Sequence, residues 1–141
     1  MADPCRGLID TSVVIDLERV APDTLPPEIA IATVTLAELA AGPHAAEDPT
    51  ERARRQARLQ CTEATLDAIP FDAAAARAYG RLWAEVASAG RKARGKRALD
   101  LLIAATALAA ELPLYTRNPS DFDGLGALID VTMVESATST R

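Results

Sequence analysis

The chain has 141 residues, of which 49% are hydrophobic and 4% aromatic, so one domain with a core of aliphatic side chains is expected and a disordered chain is excluded. Its net charge of −5 argues against a generally basic nucleic-acid binder. No apolar stretch approaches the roughly 20 residues that span a bilayer, and Met1-Ala2-Asp3-Pro4 does not begin a signal peptide, so we expect a cytoplasmic protein without a membrane segment.

Short apolar runs bounded by turn residues alternate with stretches of helical periodicity along the chain. In chain order the predicted elements are strand Arg6–Ile9, helix Val13–Val20, strand Ile29–Ala32, a helix from Thr33 or Thr35 to about Ala41, a helix from Asp48-Pro49 to about Leu66, strand Ala68–Phe71, a helix from Asp72 to about Ser88, a helix from about Arg97 to Ala110, strand Leu112–Tyr115 and strand Ile129–Val134. We expect Thr11 or Ser12 to cap the first helix, and Gly42-Pro43 to end the second.

This alternation predicts the α/β class, with helices on both faces of a mainly parallel sheet of four to five strands, that is, a three-layer α/β/α sandwich. Residues 1–135 are expected to form a single domain and residues 136–141 a polar C-terminal tail. In sheets of this kind, functional side chains gather outside the carboxyl ends of the strands, where the strand order reverses.

Several residues of types that often serve in active sites are interpreted as having no catalytic or metal-binding role. Cys5 and Cys61 lack the spacing of a metal or redox pair and are expected to be reduced thiols. His44 is the single histidine, so neither a His/Cys zinc site nor a Ser-His-Asp triad has enough partners. Tyr79, Leu82, Trp83 and Val86 recur at helical spacing and are expected to face the core.

Four acidic residues open or interrupt apolar runs, namely Asp10, Glu38, Asp100 and Asp121. Each has a structural alternative. Asp10 and Asp121 could cap a helix or a turn, and Asp100 could favour the positive end of its helix. Glu38 could form a capping box with Thr35. Together they fit those roles poorly, because a carboxylate in apolar surroundings is costly unless a positive group holds it. A hard divalent cation meets that need, and with a phosphate substrate it indicates a nuclease. If the first and fourth strands are neighbours, all four acids could converge.

A basic segment contrasts with this acidic background. Arg91, Lys92, Arg94, Lys96 and Arg97 place five positive charges within seven residues. Such a segment suits the grip of a phosphate backbone beside a metal site, although a solvated loop is an equal alternative.

Each of the four acids lies in a segment with its own pattern. The segments are Leu8-Ile9-Asp10-Thr11-Ser12-Val13, Thr35-Leu36-Ala37-Glu38-Leu39-Ala40-Ala41-Gly42, Asp100-Leu101-Leu102-Ile103-Ala104-Ala105-Thr106-Ala107 and Thr116-Arg117-Asn118-Pro119-Ser120-Asp121-Phe122. Together they resemble the four signatures of the PIN-domain ribonucleases, and within that family those of the VapC toxins of toxin–antitoxin pairs. The resemblance runs from about Leu8 to Val134 and implies a PIN-like α/β/α fold and an endoribonuclease that depends on Mg²⁺ or Mn²⁺.

The resemblance also implies roles for particular residues. It gives metal-binding and catalytic roles to Asp10, Glu38 and Asp100. Many relatives have an aspartate where this chain has Asn118; we expect Asp121 to be the fourth acid, and Asn118 to contact a metal-bound water or the substrate. Ser12 and Thr116 are expected to support the acids through hydrogen bonds, and the basic segment is expected to hold RNA. Asp16 and Asp123 are weaker candidates, each expected to tolerate substitution.

A cognate VapB-type antitoxin, a homodimer and a higher assembly with the antitoxin are implied as partners. The apolar faces around Val13–Leu17 and Leu36–Ala40 could serve these contacts or could be ordinary core. A haloacid-dehalogenase phosphatase would need an acid at Ser12 and a lysine at Arg117, and no P-loop sequence is present. A catalytically silent PIN-like module that only binds a partner stays as the alternative function.

Overall fold

A computed structural model describes residues 5–138. The elements are β1 (Arg6–Ile9), α1 (Thr11–Ile15), two short 3₁₀ turns (Leu17–Arg19 and Pro22–Thr24), β2 (Glu28–Ala32), α2 (Thr33–Ala45), α3 (Pro49–Thr65), β3 (Asp67–Ile69), α4 (Ala73–Ser88), α5 (Lys96–Ala109), β4 (Leu114–Thr116), a 3₁₀ turn (Pro119–Phe122) and β5 (Val131–Met133). None of the helices in this part of the chain is long and apolar enough to cross a membrane.

The five strands form one parallel sheet in the order β3-β2-β1-β4-β5. In register, Leu8 of β1 lies beside Ala30 of β2 on one side and Leu114 of β4 on the other. The order reverses between β1 and β4, so the first and fourth strands are neighbours, as the predicted convergence of the acids required. The carboxyl ends of these two strands therefore open side by side at one edge of the sheet.

Helices cover both faces of the sheet and confirm the three-layer architecture. Leu8, Ala30 and Ala32 face a core built with α4 and α5. Ile9 and Ile31, the alternate residues of the same strands, face a second core built with α1, α2 and α3. This division follows from the period of two in a strand, which sends neighbouring side chains to opposite faces. In α5, Leu101 and every residue of Ile103–Ala107 are buried, whereas Lys96 and Arg97 at its start are exposed.

Two predictions for the first helices were wrong. The first helix ends at Ile15 and is capped by Asp10, whose side chain accepts a hydrogen bond from the Val13 N–H, so neither Thr11 nor Ser12 is the cap. Gly42-Pro43 lies inside α2, which continues to Ala45. Pro43 removes a single helical hydrogen bond, the one its nitrogen would donate to the Leu39 carbonyl near the end of the helix. The Gly42 carbonyl, in the last turn, accepts from Arg55 of α3 at 2.9 Å.

Smaller differences concern one side chain and the ends of elements. Leu82 and Val86 are buried in the core as expected, but Trp83 is 51% exposed because it lies on the outer side of α4. The third, fourth and fifth strands are shorter than predicted or shifted by up to two residues. In the predicted tail, Ser136 pairs with Val20 in an isolated antiparallel bridge, while residues 139–141 lie outside the described part.

Candidate active site

Asp10 is a buried carboxylate at the carboxyl end of β1. It is 4% exposed, and both of its oxygens accept hydrogen bonds. Ser12 Oγ donates to Oδ1 at 2.6 Å, the Val13 N–H donates to Oδ1 at 3.2 Å, and Thr116 Oγ1 donates to Oδ2 at 2.6 Å. Burial raises the pKa of Asp10 despite the opposing effects of these hydrogen bonds and of the positive charge on Lys96. The site therefore holds a carboxylate whose charge is only partly offset.

Asp100 and Asp121 face each other across an ammonium group. Asp100 lies in the second turn of α5 and Asp121 in the 3₁₀ turn after β4. Lys96 Nζ donates to Asp100 Oδ2 at 3.1 Å and to Asp121 Oδ2 at 2.9 Å. Burial raises the pKa of Asp100, Lys96 opposes that rise, and the negative charges of Asp121 and Asp10 add to it. The structure thus brings the three aspartates from three separate elements into one electrostatic cluster.

The Lys96 ammonium responds to the same cluster. Partial burial acts to lower the pKa of Lys96, but the hydrogen bonds and negative charges of Asp121 and Asp100 outweigh that effect and raise it. Lys96 therefore remains a cation throughout the physiological pH range.

Glu38 is held by a residue other than those that contact the aspartates. Its Oε1 accepts a hydrogen bond of 2.7 Å from Thr11 Oγ1, which is also 3.1 Å from Thr35 Oγ1. Thr11 directly follows Asp10 in the sequence, so this hydrogen bond is the link between Glu38 and the segment that carries Asp10. Within residues 5–138, no three acidic, histidine or cysteine side chains are already arranged as a ligand shell. Binding a cation through Glu38 and the aspartates would require side chains to move.

The expected supporting residues form one connected hydrogen-bond chain. Ser12 Oγ donates to Asp10 and accepts from the backbone N–H of Arg117 at 3.2 Å. Thr116 Oγ1 donates to Asp10 and accepts from the backbone N–H of Asn118 at 3.1 Å. The exposed Asn118 caps the 3₁₀ turn, and its carbonyl accepts from the N–H of Asp121. The position of Asp121 is thereby linked to that of Asp10.

The sequence did not predict the structural role of Arg117 in this site. Its guanidinium donates to Val134 O at 3.1 Å and to Ser136 Oγ at 2.8 Å, and it pairs with Asp16 at 3.4 Å. Arg117 thus fastens the loop after β4 to the C-terminal segment and to the end of α1. Asp16 serves this anchor and lies outside the acidic cluster.

The basic segment divides into two parts. Four of these side chains are exposed, namely Arg91, Lys92, Arg94 and Arg97. Within residues 5–138, their closest ion pair is a 3.9 Å contact of Arg91 with Asp123. Lys96 instead contacts Asp100 and Asp121. The spacing of Lys96 and Asp100, four residues apart on one helix, could have shown half of this contact from the sequence.

This open parallel sheet with acids at the β1/β4 switch point is the fold of a known class of proteins. Comparison with protein families matches residues 7–127 to the PIN domain. The chain therefore belongs to the PIN-domain family.

Among curated proteins, the chain is similar to Ribonuclease VapC5 of Mycobacterium tuberculosis, with 37% identity over 134 residues that cover 93% of this chain and 96% of the relative. Among solved structures, it is similar to VapBC-5 of Mycobacterium tuberculosis, with a TM-score of 0.80 and 36% identity over 94% of this chain and 99% of that chain. VapBC2 of Rickettsia felis, solved with a promoter DNA fragment, shares the fold at a TM-score of 0.71 and 23% identity, covering 92% of this chain and 99% of that chain.

Proposed function

We propose that this protein is a metal-dependent endoribonuclease, the VapC-type toxin of a type II toxin–antitoxin module, which hydrolyses RNA phosphodiester bonds in the cytoplasm. The observation that carries the proposal is the cluster of Asp10, Asp100 and Asp121 at the β1/β4 edge, in a chain 37% identical to Ribonuclease VapC5. We further propose that residues 1–135 form a single PIN domain followed by a polar tail, 136–141.

The residues of the cluster fit a hard divalent cation. All their donor atoms are oxygens, which Mg²⁺ and Mn²⁺ prefer, and a cation already lies between two of the acids in the form of the Lys96 ammonium. The raised pKa of Asp10 and of Asp100 marks negative charge that the protein compensates only in part. We propose that Asp10, Glu38, Asp100 and Asp121 hold Mg²⁺, with Mn²⁺ as a substitute.

In the proposed mechanism, the metal and the side chains around Asp10 have different roles. A metal held by Asp10, Glu38, Asp100 and Asp121 would lower the pKa of the attacking water and would offset charge on the phosphate. Ser12 and Thr116 hold Asp10 rigidly by two short hydrogen bonds, so its orientation needs no rearrangement when substrate binds. Since water attacks, the 2′-hydroxyl is not the nucleophile, and we expect a 5′-phosphate and a 3′-hydroxyl as products. With His44 as the single histidine, a histidine pair for cyclic-phosphate chemistry is absent.

We propose that the exposed side chains of the basic segment bind the RNA backbone. Arg91, Lys92, Arg94 and Arg97 precede or begin α5, the helix that carries Asp100, and their charges are directed to solvent. Contacts of this kind position a strand without reading its sequence.

A VapB-type antitoxin is the proposed partner, together with a homodimer and a higher assembly of toxin and antitoxin. VapBC-5 of Mycobacterium tuberculosis is described as a member of the VapBC family of toxin–antitoxin systems. In this chain a cleft of about 360 Å³ lies beside Glu38 between α1, α2 and α3. Ile15, 47% exposed, and Leu39 give it an apolar floor, and Arg55 and Arg58 give it a charged rim. These features support docking of an amphipathic segment there.

One observation favours the alternative of a catalytically silent partner-binding module. Lys96 already neutralises part of the acidic charge without any metal, so the acids could serve structure alone. The two functions differ in whether metal-dependent RNA cleavage occurs.

The test is cleavage of a pool of structured RNAs by antitoxin-free protein in Mg²⁺ or Mn²⁺, compared with EDTA. Asp10→Asn and Asp100→Asn are the active-site variants, and Asp130→Asn, at an exposed acid, is the matched control. We expect cleavage that requires metal, disappears in the two variants and persists in the control. Cleavage that survives EDTA or Asp10→Asn would refute the proposed site, and folded protein that binds antitoxin but cuts no RNA would favour the silent module.

A further inference from the structure

A single ammonium group ties together two acids of the proposed metal site. Lys96 Nζ lies 3.1 Å from Asp100 Oδ2 and 2.9 Å from Asp121 Oδ2, so it bridges α5 and the 3₁₀ turn after β4. The Lys96 side chain is 69% exposed, whereas that of Asp100 is 13% exposed. The lysine therefore reaches into the cluster from solvent and can leave it without unfolding any element.

This contact uses the oxygens that a divalent cation would need. In the described residues, Lys96 is the sole cationic side chain that forms an ion pair with Asp100 or Asp121. The positive charge of Lys96 also acts to lower the pKa of Asp10. A divalent ion held by these Oδ2 atoms would lie close to the Lys96 ammonium, and the repulsion between the two cations disfavours their joint presence there.

We propose that Lys96 is the resident counter-ion of the acidic cluster, and that the divalent metal and the Lys96 ammonium compete for Asp100 and Asp121. In the metal-free protein Lys96 holds the two acids at a fixed separation. Entry of the metal releases the ammonium to solvent, on the side of the basic segment. The inference rests on the proposed metal site and adds that Lys96 is a positioning residue that lowers metal affinity.

The first experiment is a calorimetric titration with Mn²⁺ of the full chain, of Lys96→Met and of Lys92→Met. Lys92→Met removes the same charge four residues away, where the side chain is exposed and forms no ion pair with the cluster. Because exposed ion pairs are individually weak, we expect the Mn²⁺ dissociation constant of Lys96→Met to fall by about three- to tenfold. The constant of Lys92→Met should stay within about twofold of the parent, since salt screens distant charges.

The outcomes separate this inference from the proposed function. Equal or weaker Mn²⁺ binding by Lys96→Met, with clear binding by the parent, overturns the competition and leaves the metal site intact. Absence of Mn²⁺ binding in the parent and in both variants overturns the metal site and the competition together.

A second experiment observes the release of Lys96 directly in the unmodified protein. The chain contains two lysines, Lys92 and Lys96, so amine labelling followed by mass spectrometry reports each one and Lys92 is an internal reference. Saturating Mn²⁺ should raise the labelling of Lys96 relative to Lys92. An unchanged ratio under conditions where Mn²⁺ binds would show that the ammonium stays on the aspartates, which overturns the inference.

Discussion

Replacement of Asp10 provides a quantitative test of the buried carboxylate. Asp10→Asn removes the charge but keeps the shape, so Oδ1 can still accept from Ser12 Oγ and from the Val13 N–H. The new amide can donate to Thr116 Oγ1, whose proton is free to turn elsewhere. Because burial raises the pKa of Asp10, the ionised form is disfavoured in the folded protein. We therefore expect metal-free Asp10→Asn to be at least as stable as the parent at neutral pH, although it should not cleave RNA.

Asp10→Ala supplies the matched comparison, because it also lacks the charge but loses every side-chain hydrogen bond. The helix cap accounts for about 1 kcal/mol. Each further lost bond contributes about 1 kcal/mol. Two such bonds, from Ser12 and Thr116, bring the expected gap between Asn and Ala to about 2–3 kcal/mol in the free energy of unfolding.

Urea unfolding in EDTA measures these differences. Far-UV circular dichroism is the suitable probe, since the single tryptophan, Trp83, is already 51% exposed in the folded state. The folded pKa of Asp10 lies above its unfolded value, so the destabilising effect of the charge is present at high pH and disappears as the pH falls through the folded pKa. The advantage of Asp10→Asn over the parent should shrink on acidification. A loss of about 2 kcal/mol in Asp10→Asn at neutral pH, or an advantage that grows in acid, would refute this reasoning.

Two further predictions concern the strands beneath the site. Gly7→Ala should lower the free energy of unfolding by about 1–3 kcal/mol, because a Cβ there would lie 2.5 Å from Tyr115 Cε1 and 2.9 Å from Pro26 Cγ; thermal unfolding measures the loss. Thr116→Val should lose about 1.5–3 kcal/mol and most of the RNA cleavage, because it removes the donor to Asp10 Oδ2 without changing the volume; urea unfolding and the cleavage assay measure the two effects.

Matched controls exist for both variants. Gly126 has open space where the methyl group of an alanine would lie, so Gly126→Ala should leave the melting temperature nearly unchanged. Thr132 lies exposed on β5, so Thr132→Val should change neither stability nor cleavage appreciably. If Gly7→Ala has the same melting temperature as the parent, the close approach of Tyr115 to residue 7 is absent in solution. Full cleavage by Thr116→Val would show that Asp10 is oriented without this hydroxyl.

Features fixed by neighbouring residues were predictable from the sequence. The strand Arg6–Ile9 and the helix after Asp72 were confirmed with the predicted bounds. The strand is a short apolar run bounded by turn residues, and the helix begins where the Asp72 carboxylate accepts from a backbone N–H three residues later, so both signals are local in sequence. The parallel sheet and its two helical layers followed from the alternation of strands and helices.

Features fixed by distant residues were not predictable in the same way. A carbonyl in the last turn of α2, that of Gly42, accepts from Arg55, which lies thirteen residues further along the chain on α3. The place of Lys96 depends on Asp121, 25 residues away, and a row of basic residues in the sequence does not show that one of them turns toward acids. Glu38 and Thr11 meet only because α1 and α2 are neighbours in the fold.

The Thr116–Asp10 hydrogen bond has a consequence for the synthesis of the protein. The two residues are 106 positions apart, and β4 must pair with β1 before this bond can form. During translation Asp10, Glu38 and Asp100 therefore leave the ribosome before the strand that orients the first of them. A chain proposed to cut RNA thus has an unfinished site until β4 has left the ribosome and paired with β1.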